Sequence, residues 1–191
     1  MNPGRRRALG RAATAWAAAV LAAVPVARAQ PIPAVPPEVA LALPGARLQG
    51  QGSLRYFGFL VYDARLWSAA PPVGADWAAV PFALELQYAR SLSGKKIAER
   101  SLGEMQRQGP IAPADAARWL ADLRRLIPDV REGERITGLN LPGRGARFYV
   151  DGQAVGEVDE PAFARLFFGI WLAPQTSEPG LRQSLLGRAA P

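Results

Sequence analysis

The chain has 191 residues, with 23 Lys or Arg against 16 Asp or Glu, and contains neither Cys nor His. That composition removes thiolate nucleophiles, Ser-His triads, imidazole bases and nearly every zinc site, leaving carboxylates, Lys, Arg, Tyr and hydroxyls for any chemistry. No metal ligand set and no cofactor motif emerges, and without Cys the fold must rest on its core rather than on disulfides.

Residues 1–29 read as a secretory signal. Arg5, Arg6, Arg7 and Arg11 form a basic start without any acid, an Ala/Val/Leu run follows over 12–26, and Ala27-Arg28-Ala29 has a small-x-small cleavage pattern. The apolar run is short for a bilayer span, so a cleaved signal and a periplasmic location are expected over a retained anchor, with no stable membrane insertion after cleavage. Five of the basic residues fall before Gln30, so the remainder carries 18 basic against 16 acidic residues. That near balance removes the main argument for a nucleic-acid partner. Protein partners are not specified by any motif.

Residues 30–45, rich in proline, predict an extended segment ahead of a domain over 46–191. From Ala46 to Trp67 the pattern is strand-like, with Gly50, Gly52 and Gly58 marking a turn, bulge or close backbone approach. "PPVGADW" is a loop, and "FALELQYAR" alternates with Phe82, Leu84, Leu86 and Tyr88 on one face. Ser93 is placed to cap a helix through "GKKIAERSLGEMQRQ", and Pro113 opens a second whose apolar face is Trp119, Leu120, Leu123 and Leu126. Pro128 ends it. "ERITGLNL" and "ARFYVDGQAVGEV" predict strands, the latter a hairpin around Asp151-Gly152. "EPAFARLFFGIWL" and "EPGLRQSLLG" close the chain as helices, each with Pro just inside its start. Strands, two helices, strands and two helices predict an α+β domain with helices packed on one face of a mostly antiparallel sheet.

Few of the polar residues stand out. Gly50-Gln51-Gly52 and Gly143-Arg144-Gly145 lack the strand-to-helix context of a phosphate loop and predict a bulge and a turn. Asp63 and Arg65 share a strand face, which predicts a rim ion pair. Lys95-Lys96 and Arg124-Arg125 fall on the polar faces of their helices. The stripe Phe163, Leu166, Phe167, Ile170 and Trp171 is either plain core or the aromatic wall of a cavity. Arg55, crowded by aromatics in "GSLRYFGFLVYDARLW", is either a surface charge or a hook for an anion, with Tyr62 adding a hydroxyl. An odd separation sends the two to opposite faces of a regular strand, and a bulge at Gly58 would restore the parity.

"GQGSLRYFGFLVYDARLW", "FALELQYARSLSGKKIAERSLGEM", "GERITGLNLPGRGARFYVDGQAVGEV" and "AFARLFFGIWLAPQTSEPGLRQSLLG" together resemble the chalcone isomerase-like family, in its bacterial exported branch, over residues 46–188. The resemblance implies an open-faced β-sandwich: a large antiparallel sheet with a helical layer on one face and a ligand cleft between them. It implies that Arg55, at the end of Gly-x-Gly-x-x-Arg, is the cleft arginine and that Tyr62 is its hydroxyl partner. The Tyr that the plant isomerases place after a Thr-Gly turn is Ile97 here, their cleft Asn falls at or beside Glu104, and their late hydroxyl falls near Ile170. Ile97 and Ile170, with Phe167 of the aromatic stripe, are expected to line the cleft.

Those departures strip polar partners that cyclisation of a chalcone needs while leaving the pocket apolar. The resemblance thus implies a non-catalytic protein that holds a small amphipathic ligand such as a fatty acid. An intramolecular lyase or isomerase is the alternative, and a ligand-free interaction module is the second.

Overall fold

The computed structural model describes residues 33–187, apart from residue 70. The expected signal over 1–29 lies outside the described residues. Six strands, β1 (Arg47–Tyr56), β2 (Phe59–Ser68), β3 (Phe82–Tyr88), β4 (Arg135–Leu141), β5 (Gly145–Val150) and β6 (Gln153–Val158), form one antiparallel sheet in sequence order. Helices α2 (Gly94–Gln106), α3 (Pro113–Leu126), α4 (Pro161–Leu172) and α5 (Pro179–Leu185) complete the helical side. The fold is α+β, an antiparallel sheet with a helical layer, and no helix among the described residues is long and apolar enough to cross a membrane.

Strand alternation decides which side chains meet that layer. Tyr62, Ala64 and Leu66 of β2, Leu84, Leu86 and Tyr88 of β3, and Phe148 of β5 point inward with Phe163, Phe167, Phe168 and Trp171 of α4. Phe163 and Phe167 stack at 5.6 Å, and Phe148 meets Phe167 edge-on at 5.1 Å. On β1 the same face carries Gly50 and Gly52, where the main chain of α5 takes the room that side chains would occupy. A Cβ on Gly50 would fall on the carbonyl oxygens of Ser184 and Leu185, and one on Gly52 would press on the Leu181 side chain. The Gly-x-Gly pair is a seat for a helix.

The stretch 46–67 is a hairpin whose two-residue turn is Phe57 and Gly58, the last of the glycines expected to mark a turn or bulge. Two local expectations change. Within the segment expected to be extended, Pro37–Ala42 form a short helix, α1, because Pro37 at its first position is preorganised for helix and Val39 and Leu43 find a buried seat. They pack on the outer face of the sheet against Trp67, Ala83 and Leu139. Ser93 makes no capping bond, and the Gly94 amide donates to Asp129 instead at 2.8 Å.

The outer face also carries a sunken polar network. Arg135 donates to Glu38 of α1 at 2.9 Å, and the Thr137 hydroxyl donates to the same carboxylate at 3.1 Å. Alongside, Glu85 accepts from Arg65 at 2.9 Å and from the Trp67 indole at 2.7 Å. Arg65 therefore pairs with Glu85, which stands directly across in the β2–β3 register, and Asp63 accepts from Ser53 across β1. Cross-strand neighbours lie closer than residues two apart on one strand, so the predicted Asp63–Arg65 pair does not form.

Candidate functional site

Between the hairpin end of the sheet and the helices lies a cavity of about 270 Å³, near the lower end of the range for small-molecule sites. Its floor is Leu54, Val61, Tyr62, Leu86, Tyr88 and Ile136 from β1 to β4. Its wall is Ile97, Ile127, Phe167, Ile170 and Trp171. The wall includes the three residues expected to line the cleft, Ile97, Phe167 and Ile170. Polar side chains enter from one side: Lys96, Arg100, Ser101 and Glu104 of α2, with Ser177 and Glu178 ahead of α5. Glu104 is held by Arg100 at 2.6 Å and by Arg107 at 3.4 Å. Lys96 is exposed, as expected of a solvated face, and also stands at the edge of this lining.

Tyr62 and Tyr88 are the polar groups of the floor. They stand directly opposite in the β2–β3 register, with rings edge to face at 5.9 Å. The Tyr62 hydroxyl accepts a hydrogen bond from the Trp171 indole at 2.9 Å, which leaves its own proton without an acceptor among the described residues. The Tyr88 hydroxyl has no protein partner among them either. Neither oxygen is an enclosed atom without a partner of the kind found at Glu38, Arg65 and Arg135, so both O–H groups are left able to donate into the chamber. Burial raises both phenols well above the ordinary tyrosine value near 10; for Tyr62 the Trp171 bond partly opposes this, and for Tyr88 the neighbouring Tyr62 adds to it. Both remain protonated donors at neutral pH.

These raised values set a sign for alkaline stability. A phenol held above its unfolded value contributes stability that is fully present below about pH 10 and is lost as pH rises through its folded value. The tyrosinate absorbance of Tyr62 and Tyr88 is therefore expected to appear only together with loss of helical circular dichroism. Tyrosinate from these two positions in a still-folded protein, identified with the Tyr62→Phe and Tyr88→Phe variants, would contradict the burial.

Arg55 does not join Tyr62. It is exposed, its guanidinium donates to the Gly58 carbonyl at 3.2 Å, and it is absent from the cavity lining. The reason is register. Leu54 stands opposite Tyr62 and enters the cavity beside it, whereas Arg55 stands opposite Leu60, past an irregularity in the ladder between Leu54 and Arg55. Sequence reasoning missed Tyr88 as a site residue, although the alternation of 82–88 already put it on the inner face. It also missed Arg100, whose only mark is its place one turn after Lys96.

Residues 34–187 match the family described as chalcone isomerase-like. An uncharacterised protein of Haemophilus influenzae is 30% identical over 109 residues, covering 56% of this chain and 52% of that protein, so the matched region spans about half the relative's length. Among solved structures, an Arabidopsis thaliana fatty-acid binding protein superposes with a TM-score of 0.60 at 15% identity, over 75% of this chain and 88% of that one. At that identity the likeness is one of fold. By the span of its family match, the chain belongs to the chalcone isomerase-like family.

Proposed function

We propose that the protein binds a small amphipathic carboxylate, such as a fatty acid, without catalysing its conversion. The observation that carries this reading is the pair of phenol O–H donors without an acceptor among the described residues, Tyr62 and Tyr88, on the floor of a chamber whose wall is Ile, Phe and Trp and whose polar residues are confined to α2 and the approach to α5. A carboxylate needs donors that do not demand a proton in return, and two phenols supply them. Lys96, which has no carboxylate partner among the described residues, offsets the ligand's charge from the rim, whereas Arg100 is already paired with Glu104. The apolar wall takes the tail. Phenols held above their ordinary value donate hydrogen bonds and do not act as bases, which favours holding over proton abstraction. The fold shared with a fatty-acid binding protein supports the same reading. The basic, then apolar stretch over 1–29 supports a periplasmic site of action.

The chain expressed in bacteria and released by osmotic shock is expected to yield a fatty acid on organic extraction. Dodecanoate titrated into the stripped protein is expected to bind, and Tyr88→Phe to weaken it about tenfold or more, the loss of a hydrogen bond to a charged group. The melting temperature of the empty protein should not fall, since that hydroxyl has no protein partner. Wild-type protein that refuses dodecanoate, or a Tyr88→Phe variant of unchanged affinity, overturns the assignment. Loss of binding in Arg55→Ala with Tyr88→Phe unaffected would return the head group to the hairpin arginine.

A further inference from the structure

The turn joining β1 to β2 is a poor one by the rules of folding alone. Phe57 and Gly58 both take positive φ, 48° and 81°. The β5–β6 hairpin of the same sheet makes the same turn with Asp151 and Gly152 at 46° and 83°. Asp-Gly is the ordinary solution for this geometry, whereas a bulky aromatic at positive φ is an outlier. Strain of this kind is held where a side chain is used.

What the turn presents is apolar and uncovered. Phe57 is 84% exposed, Phe59 66% and Tyr56 63%, and the Tyr56 and Phe57 rings meet edge-on at 4.5 Å. Isolated exposed apolar residues need no explanation, but three aromatics on one turn make a patch. Two cations flank it. The Arg90 guanidinium lies 5.7 Å over the Phe59 ring, and Arg55 holds only the Gly58 carbonyl. Neither has a carboxylate partner among the described residues. Acids at this end of the sheet sit on the other connections, Glu132 and Glu134 before β4 and Asp151 in the β5–β6 turn. The β1–β2 corner is thus aromatic and cationic with no acid of its own, whereas Glu132 and Glu134 stand between Arg131 and Arg135.

We propose that this hairpin tip docks on the surface of an anionic phospholipid bilayer. Tyrosine and phenylalanine rings settle at the level of the head groups, and free arginines beside them meet lipid phosphates. Leu54 and Val61, each two residues from the exposed aromatics, line the cavity. Docking therefore brings the chamber to the interface, where amphiphiles are found. The inference stands apart from what the cavity holds, since the tip is tested without any cavity ligand.

The absence of Cys makes the test direct. Phe57→Cys and, at the opposite end of the sheet, Arg144→Cys are introduced singly into the full chain and labelled with an environment-sensitive fluorophore. Mixing with vesicles of phosphatidylcholine and phosphatidylglycerol is expected to shift the label at 57 to the blue and shield it from iodide, leaving the label at 144 unchanged. Arg55→Glu with Arg90→Glu should reduce apparent vesicle affinity at least tenfold, and pure phosphatidylcholine should bind more weakly. Because each label reports its own surroundings, residues 1–32 do not confuse the result. A silent label at 57, or equal responses at 57 and 144, overturns the proposal. A response that grows with protein concentration in the absence of vesicles also overturns it, by assigning the tip to contact between copies of the chain.

Discussion

Arg135→Met is expected to destabilise the protein by about 3–5 kcal/mol, the usual cost of removing one partner from a buried ion pair. The Glu38 side chain is 2% exposed, and one of its oxygens already lacks a partner among the described residues. Without Arg135 the other keeps only the Thr137 hydroxyl. The protein can escape part of this cost by releasing α1, which takes Glu38 to water at the expense of exposing Val39 and Leu43. Each such side chain is worth about 1.5–3 kcal/mol, so release limits the loss to a similar figure. Two measurements separate the routes. Urea unfolding gives the total, and hydrogen exchange at residues 39–43 shows whether α1 opens first. The double variant Glu38→Leu with Arg135→Met should recover much of the loss, because replacing both partners with apolar groups leaves no orphaned charge. A double variant as unstable as the single one would mean that the pair does not carry the docking of α1.

Gly50→Ala is the second large effect. One methyl group placed against the carbonyl oxygens of Ser184 and Leu185 meets main chain, which cannot turn aside as a side chain can. Helix α5 is expected to lift from β1, exposing Leu181, Leu185 and Leu186, for a loss on the order of 3–5 kcal/mol. The consequence reaches the site, since Ser177 and Glu178 at the cavity's polar side lead directly into α5. Gly103→Ala is the matched control. It lies inside α2 with open space around its missing Cβ, and alanine there should stabilise by about 0.5–1 kcal/mol. Thermal melts of the pair should move in opposite directions; parallel shifts would remove the close approach at Gly50 as the cause.

The two glycines also show which parts of the fold the sequence carries openly. Alternation in 82–88 and the helical stripes of 113–126 and 161–172 are repeated signals, and they give the sheet, its inner face and the helical layer. The β1–β2 turn is only half announced, since Gly58 marks a possible turn but Phe-Gly does not specify a hairpin as Asp151-Gly152 does. What misplaces Arg55 is the ladder irregularity beside it, which decides which of Leu54 and Arg55 faces the helices and which no local pattern reveals. The Tyr88 hydroxyl was legible as to face but not as to partner, because an unpaired donor is a property of the surroundings. The α1 helix and its Glu38 pair are long-range, joining residues 38 and 135. Six residues of helix are too few to form unaided, so their sequence alone carries little signal.

The order of the strands has a further consequence for how the chain reaches this state. Each strand lies beside its sequence neighbour, so the sheet can grow strand by strand in chain order as the polypeptide is made, with β3 and β4 joined through α2 and α3. The exception is α5, the last helix, which seats on β1, the first strand. The domain is therefore closed only after residues 179–187 are synthesised. Until then the β1 edge of the inner face is uncovered, and a nascent chain halted at that stage presents apolar surface of the kind that chaperones bind.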